Sequence, residues 1–220
     1  MKNYKKIGIM GGTFDPPHLG HLISAEYVAE ALGLDSVVFI PTGKKVYKES
    51  SAADAADRMN MTIAAVGDNP KFSVSDTEVL NEGVNYTSET LERLHNANPN
   101  AHFYFIVGAD SLDYMEDWHN PKKIFELCTV AAVQRKGFDN AAVQAKADFL
   151  KERYGADIEC VQAPVIEVSS SRIRERIKNG LSIKYLVCDA VKEYIENNGL
   201  YRKSKLFSQN GFGFLFCCYK

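Results

Sequence analysis

The sequence predicts an α/β domain built on a doubly wound, mainly parallel β-sheet. Short apolar runs rich in β-branched and aromatic residues recur along the chain, longer amphipathic stretches separate them, and Gly11-Gly12 directly follows the first run. Alternation of this kind is the pattern of βαβ units in a Rossmann-like fold. A glycine turn after the first strand is where such sheets bind phosphates.

Strands are expected at Lys6–Met10, Ser36–Ile40, Lys71–Ser75, His102–Val107, Cys128–Val133 and Asp157–Val161. Each is a run of strand-forming residues too short to be a helix in its own right. Helices are expected at Leu19–Leu32, Ala53–Val66, Ser88–Ala97, Asn140–Tyr154, Ser170–Lys178 and Ile183–Asn197, the last stopped by Asn198-Gly199, a suitable C-cap. No internal repeat or linker interrupts the pattern, so a single domain is expected over residues 3–202. Residues 203–220 have a different texture, with Ser, Gln, Asn and Gly ahead of Phe212, Phe214, Leu215, Phe216 and Cys217-Cys218. They are set apart as a C-terminal tail of unassigned role.

At 220 residues the chain has room for one large domain, and its 45% apolar content supplies a core without metal or disulfide staples. The 26 basic and 28 acidic residues leave a net charge of -2. That excludes binding driven by a basic surface, so no nucleic-acid partner is expected. The five cysteines are odd in number and scattered, without C-x-x-C spacing, which fits a reducing cytoplasm. Glycines and Asp15-Pro16-Pro17-His18 interrupt the basic N-terminus before it can form a signal segment. No apolar run approaches the about 18 residues that span a bilayer, so no membrane partner is expected.

The strongest chemical signal is Gly11-Gly12-Thr13-Phe14-Asp15-Pro16-Pro17-His18-Leu19-Gly20-His21, between the first strand and the first helix. Glycines admit an anion close to the backbone, and the helix N-terminus offers N–H groups and the positive end of its dipole. His18 and His21 are three residues apart and share one face of the first turn. Paired histidines can also bind zinc, but no Cys or Glu motif nearby supplies further ligands, so no protein metal site is expected. The segment differs from both the dinucleotide fingerprint and the P-loop. Phosphate binding of another kind is implied.

This segment resembles the T/H-x-G-H signature of the nucleotidyltransferase superfamily. Val168-Ser169-Ser170-Ser171-Arg172-Ile173-Arg174 is similar to the second signature of its adenylyltransferases, I-S-S-T-x-I-R. Tyr86-Thr87-Ser88-Glu89-Thr90-Leu91, Gly108-Ala109-Asp110-Ser111, Trp118 and Arg135-Lys136-Gly137 follow in the order of the bacterial nicotinate-nucleotide adenylyltransferases. The resemblance runs over about residues 6–202. Pro41–Lys48 departs from the family pattern, keeping only Lys48 of its P-P-H-K with Lys45, Val46 and Tyr47 in the other places, while Ser88 and Glu89 stand where the family has an apolar residue and Asp.

The resemblance implies adenylyl transfer from ATP to nicotinate mononucleotide, giving deamido-NAD and pyrophosphate, with Mg²⁺ carried on the triphosphate. It assigns catalysis to His18, His21, Lys48 and Arg174, and ATP binding to Gly11, Gly12, Thr13, Phe14, His18, His21, Gly108, Asp110, Ser169, Ser170 and Arg174. Acceptor binding falls to Thr13, Asp15, Lys48, Thr87, Trp118 and Arg135. From the residues alone, Asp110 reads equally as a helix cap, Trp118 as a loop anchor, and Arg135 and Arg174 as solvated charges. Alternatives are another phosphate acceptor, nicotinamide mononucleotide or phosphopantetheine, or a nucleotide-binding sensor without catalysis. A relative of the class I tRNA ligases fits less well, because no second lysine signature is present. The expected partners are ATP and nicotinate mononucleotide, and a homo-oligomer stays open.

Overall fold

The computed structural model describes residues 5–43, 52–135, 140–164 and 166–202. Strand and helix alternate through β1 (Lys5–Gly12), α1 (Leu19–Leu32), β2 (Ser36–Pro41), α2 (Ala55–Val66), β3 (Phe72–Val74), α3 (Thr87–Ala97), β4 (Ala101–Gly108), α4 (Pro121–Leu127), β5 (Cys128–Arg135), α5 (Asn140–Tyr154) and β6 (Ile158–Ala163). Two helices, α6 (Ser170–Lys178) and α7 (Asp189–Asn197), close the series, and two 3-10 turns, Ala109–Asp113 and Met115–Asp117, lead from β4 to α4. The six strands lie in the order β3-β2-β1-β4-β5-β6, and every pairing among them is parallel. This is the doubly wound α/β fold expected from the alternation.

Local chemistry sets the helix ends. Gly33 closes α1 in the left-handed conformation, its N–H directed to the carbonyls of Ala29 and Glu30. Asp54 caps α2 by accepting from Asp57 N at 2.7 Å, which explains why the helix starts two residues later than the apolar pattern suggests. Pro121 opens α4 at a position where its missing N–H costs nothing.

Successive residues of β1 face opposite sides of the sheet. Ile7 and Ile9 enter a core with Leu91 of α3, Ile124 of α4 and Leu150 of α5. Met10 enters the other, with Val28 of α1, Met61 of α2, Ile173 of α6 and Ile195 of α7. Each fully buried side chain of this size contributes about 1.5–3 kcal/mol. The three cysteines among the described residues are free, and burial pushes the Cys128 thiol up to about 12. No helix of the described residues is long and apolar enough to cross a membrane.

One expected element is corrected. The sequence reads as a helix over Ile183–Asn197, because Ile183, Val187, Val191 and Ile195 are four apart, and all four are indeed buried. Only Asp189–Asn197 is helical. The Leu186 carbonyl accepts from Leu19 N at 3.0 Å, and Tyr185 takes a left-handed φ of 67°, which a continuous helix does not permit. The short helix α4 was not foreseen in what reads as the end of a loop. The C-terminal tail and the Lys44–Lys48 segment lie outside the described residues.

Candidate active site

The site lies where the strand order reverses, between β1 and β4, outside the carboxyl ends of the strands. The segment after β1 is shaped first by its own side chains. Phe14, in a left-handed backbone conformation, is buried and meets the His21 ring edge-on at 5.1 Å. His18 and His21 stack with centroids 3.6 Å apart. Gly12 leaves room for the Phe14 ring, and Gly20 for the His18 ring: a Cβ on either would come within about 3 Å of those atoms. His18 N donates to His21 Nδ1 at 3.2 Å. A neutral His21 therefore carries its proton on Nε2 and offers that atom as its donor.

The rest of the protein braces this segment from several sides. Arg58 of α2 donates to the Thr13 carbonyl at 2.9 Å. Arg174 and Ser170 of α6 donate to the carbonyls of Asp15 at 2.7 Å and Pro16 at 2.8 Å. The Asp15 carboxylate, buried, accepts from Ala52 N at 2.8 Å, Ala53 N at 3.1 Å and the Tyr201 hydroxyl at 2.7 Å. Burial and the adjacent Asp15 push the Tyr201 phenol well above its ordinary pKa, so it stays a donor. Burial lowers the pKa of Arg58, and the Asp15 charge opposes that shift.

Two cavities open beside this loop. The larger, about 430 Å³, is lined by His18, Gly20, His21, Gly108, Ser169 and Ser170, among others. The smaller, about 240 Å³, has an apolar side formed by Ile9, Ile40, Leu91, Phe105 and Trp118 and a polar side formed by Thr13, Thr42, Glu78, Thr87 and Thr90. Gly11, Phe105 and Trp118 border both. A flat aromatic ring fits the apolar side of the smaller cavity, and a phosphorylated nucleotide fits the donor-rich larger one.

The structure thus brings Gly11, Gly12, Thr13, His18, His21, Thr87, Gly108, Trp118, Ser169 and Ser170 to the cavity walls. It places others elsewhere. Phe14 supports His21 from the core, and Asp15 and Arg174 belong to the bracing network and line neither cavity. Asp110 is exposed and borders a separate cavity of about 110 Å³ with Asp113 and Lys146. Arg135 ends β5, but its side chain, like Lys48, lies outside what is described. Thr42, Glu78 and Thr90 were not singled out in the sequence. Glu78 carried no readable signal, since it lies in an irregular stretch; its carboxylate accepts from Thr90 Oγ1 at 2.8 Å beside the cavity.

Comparison with known proteins gives a consistent result. A sequence model of the family described as cytidylyltransferase-like matches residues 9–176. A protein of Lachnoclostridium phytofermentans named "Probable nicotinate-nucleotide adenylyltransferase" is 41% identical over 198 residues, covering 90% of this chain and 99% of that one. A protein of the same name from Dehalococcoides mccartyi is 42% identical over 200 residues, covering 90% and 98%. Among solved structures, the nicotinic acid mononucleotide adenylyltransferase of Plasmodium falciparum complexed with NaAD shares the fold, with a TM-score of 0.74 at 19% identity, over 90% of this chain and 98% of that one.

Proposed function

The chain belongs to the cytidylyltransferase-like family and, within it, to the nicotinate-nucleotide adenylyltransferases, and from that membership and the paired cavities we infer how its residues divide the work. The enzyme transfers the adenylyl group of ATP to nicotinate mononucleotide, giving deamido-NAD and pyrophosphate, a step of NAD biosynthesis. The observation that carries the assignment of sites is the meeting of the two cavities at Gly11, Phe105 and Trp118, next to the His18–His21 stack. ATP takes the larger cavity. The pyridine ring takes the apolar side of the smaller one, against Trp118.

In the reaction a phosphate oxygen of the mononucleotide forms a bond to the α-phosphorus, and the bond from that phosphorus to the α–β bridging oxygen of ATP breaks, that oxygen leaving as a terminal oxygen of pyrophosphate. The nucleophile is already an anion, so no base has to remove a proton. Catalysis consists of alignment and of donors aimed at the oxygens that gain charge. His18 and His21 supply those donors, and Ser169, Ser170 and the N-terminus of α6 hold the polyphosphate. Arg174 acts chiefly by fixing the Asp15 carbonyl. Thr87 opens α3 at the rim of the smaller cavity and orients the acceptor.

The donors around the histidines are neutral or cationic, a chemistry suited to phosphate oxygens rather than to caging a hard cation. Mg²⁺ brought in with ATP would supply charge neutralisation for the departing pyrophosphate, while His18, His21, Ser169 and Ser170 contact the phosphate oxygens. Excess chelator is therefore expected to abolish turnover and added Mg²⁺ to restore it. Undiminished activity in chelator would overturn the metal's role.

The test of function is pyrophosphate release from ATP and Mg²⁺ with nicotinate mononucleotide, nicotinamide mononucleotide and phosphopantetheine supplied separately. Release is expected with the first and at least about tenfold less with the others, the ratio that about 1.4 kcal/mol of differential binding produces. A preference for either of the others would overturn the placement of the ring against Trp118.

A further inference from the structure

Trp118 is the only tryptophan in the chain, and it borders both cavities. It follows two 3-10 turns, in which few backbone hydrogen bonds repeat, so side chains must fix its position. On the inner side, Ala109, Leu112 and Met115 are buried in the core. On the outer side stands Glu116, two residues before the tryptophan. Lys146 Nζ donates to Glu116 Oε2 at 2.8 Å and the Tyr154 hydroxyl donates to Oε1 at 3.1 Å, while Arg153 Nε lies 3.5 Å from Oε1.

All three partners belong to α5, at spacings of seven and eight residues that place them on one face, two turns apart. Both carboxylate oxygens are engaged, so the joint resists rotation as well as separation. The Lys146 hydrogen bond, with help from Tyr154, holds the Glu116 carboxyl below its usual range. On the far side of Trp118, the ring meets Phe105 edge-on at 6.0 Å, and His119 stacks on Tyr86 at 4.0 Å, beside Thr87.

We propose that Glu116 is a positioning residue for the acceptor: its two-oxygen joint to Lys146 and Tyr154 sets the Trp118 ring against the smaller cavity. This rests on the reading that the pyridine ring binds there. Glu116 touches neither cavity, and the groups that face the phosphates are anchored on β1, α1 and α6. Its influence falls on acceptor binding and not on the chemical step.

In Glu116→Gln an amide N–H₂ meets donors from α5, so one of the two contacts is lost. The KM for nicotinate mononucleotide is expected to rise about fivefold, the equivalent of one net hydrogen bond, with kcat and the KM for ATP within about twofold of wild type. Because one tryptophan accounts for the indole fluorescence, the emission of the unliganded variant is expected to shift, and its response to added nicotinate mononucleotide to weaken. Lys146→Met is expected to behave like Glu116→Gln, and Lys146→Arg, which keeps the ion pair, like wild type.

Unchanged emission and an unchanged acceptor KM in folded Glu116→Gln would overturn the proposal. So would a parallel rise of both KM values together with a fall in melting temperature, the mark of a structural role only. If wild type fails to use nicotinate mononucleotide, the functional reading fails. The emission of unliganded Glu116→Gln and Lys146→Met still tests the joint to α5.

Discussion

His21→Ala is expected to lower kcat about 100-fold, by the roughly 3 kcal/mol that one preorganised donor supplies at a reacting phosphate. The ring is well fixed for this. It is stacked on His18, edge-on to the buried Phe14, and bound through Nδ1 to His18 N, which leaves Nε2 as the donating atom. A contact made only in the transition state lowers kcat and kcat/KM together. The KM for ATP is therefore expected to stay within severalfold of wild type. The ring is half-buried and its main packing partner is another side chain of the same turn, so the fold survives its removal. Near wild-type turnover in a folded variant would remove His21 from the mechanism.

Asp15→Ala acts on stability first. It strands the N–H groups of Ala52 and Ala53 and takes from the Tyr201 hydroxyl its carboxylate acceptor, and it removes the largest of the charges that oppose the desolvation of the buried Arg58. An unmatched buried donor costs about 1–3 kcal/mol, so the loss of these bonds together is expected to cost about 3–5 kcal/mol. For a chain of this length a loss of that order lowers the melting temperature by roughly 10 °C. Activity should fall as well, because the same carboxylate ties the histidine loop to the segment that follows Lys48. Wild-type melting in Asp15→Ala would show that the three bonds contribute nothing net.

The fold was legible because strands leave a local record. All six β-strands were located from their own residues, since a buried parallel strand is a short apolar run whatever surrounds it. The walls of the two cavities were legible where they are nearly contiguous, as in Gly11-Gly12-Thr13, His18, Gly20 and His21, and Ser169-Ser170. The site was not legible where charge pairs across the fold. Nothing near Glu116 announces Lys146 and Tyr154, 30 and 38 residues on, and no spacing ties Asp15 to Tyr201. Nor does any spacing show that Arg174 Nη1 donates to the Asp15 carbonyl, or that the Asp15 carboxylate accepts from Ala52, Ala53 and Tyr201. Over Ile183–Val187 the record misled, because a four-residue apolar spacing suits a helix and also suits an irregular segment pressed on the core by its link to Leu19.

The hydrogen bond from Tyr201 to Asp15 joins residues 186 apart in the chain. At ribosomal rates of about 5–20 residues per second, roughly 10–40 s separate the synthesis of its two ends. For that interval the histidine loop has been made but its last brace has not. The growing chain can assemble its first strands and helices early, yet the bracing of the histidine loop is completed only once Tyr201 has been made. The shape of that loop therefore waits on a residue made long after it.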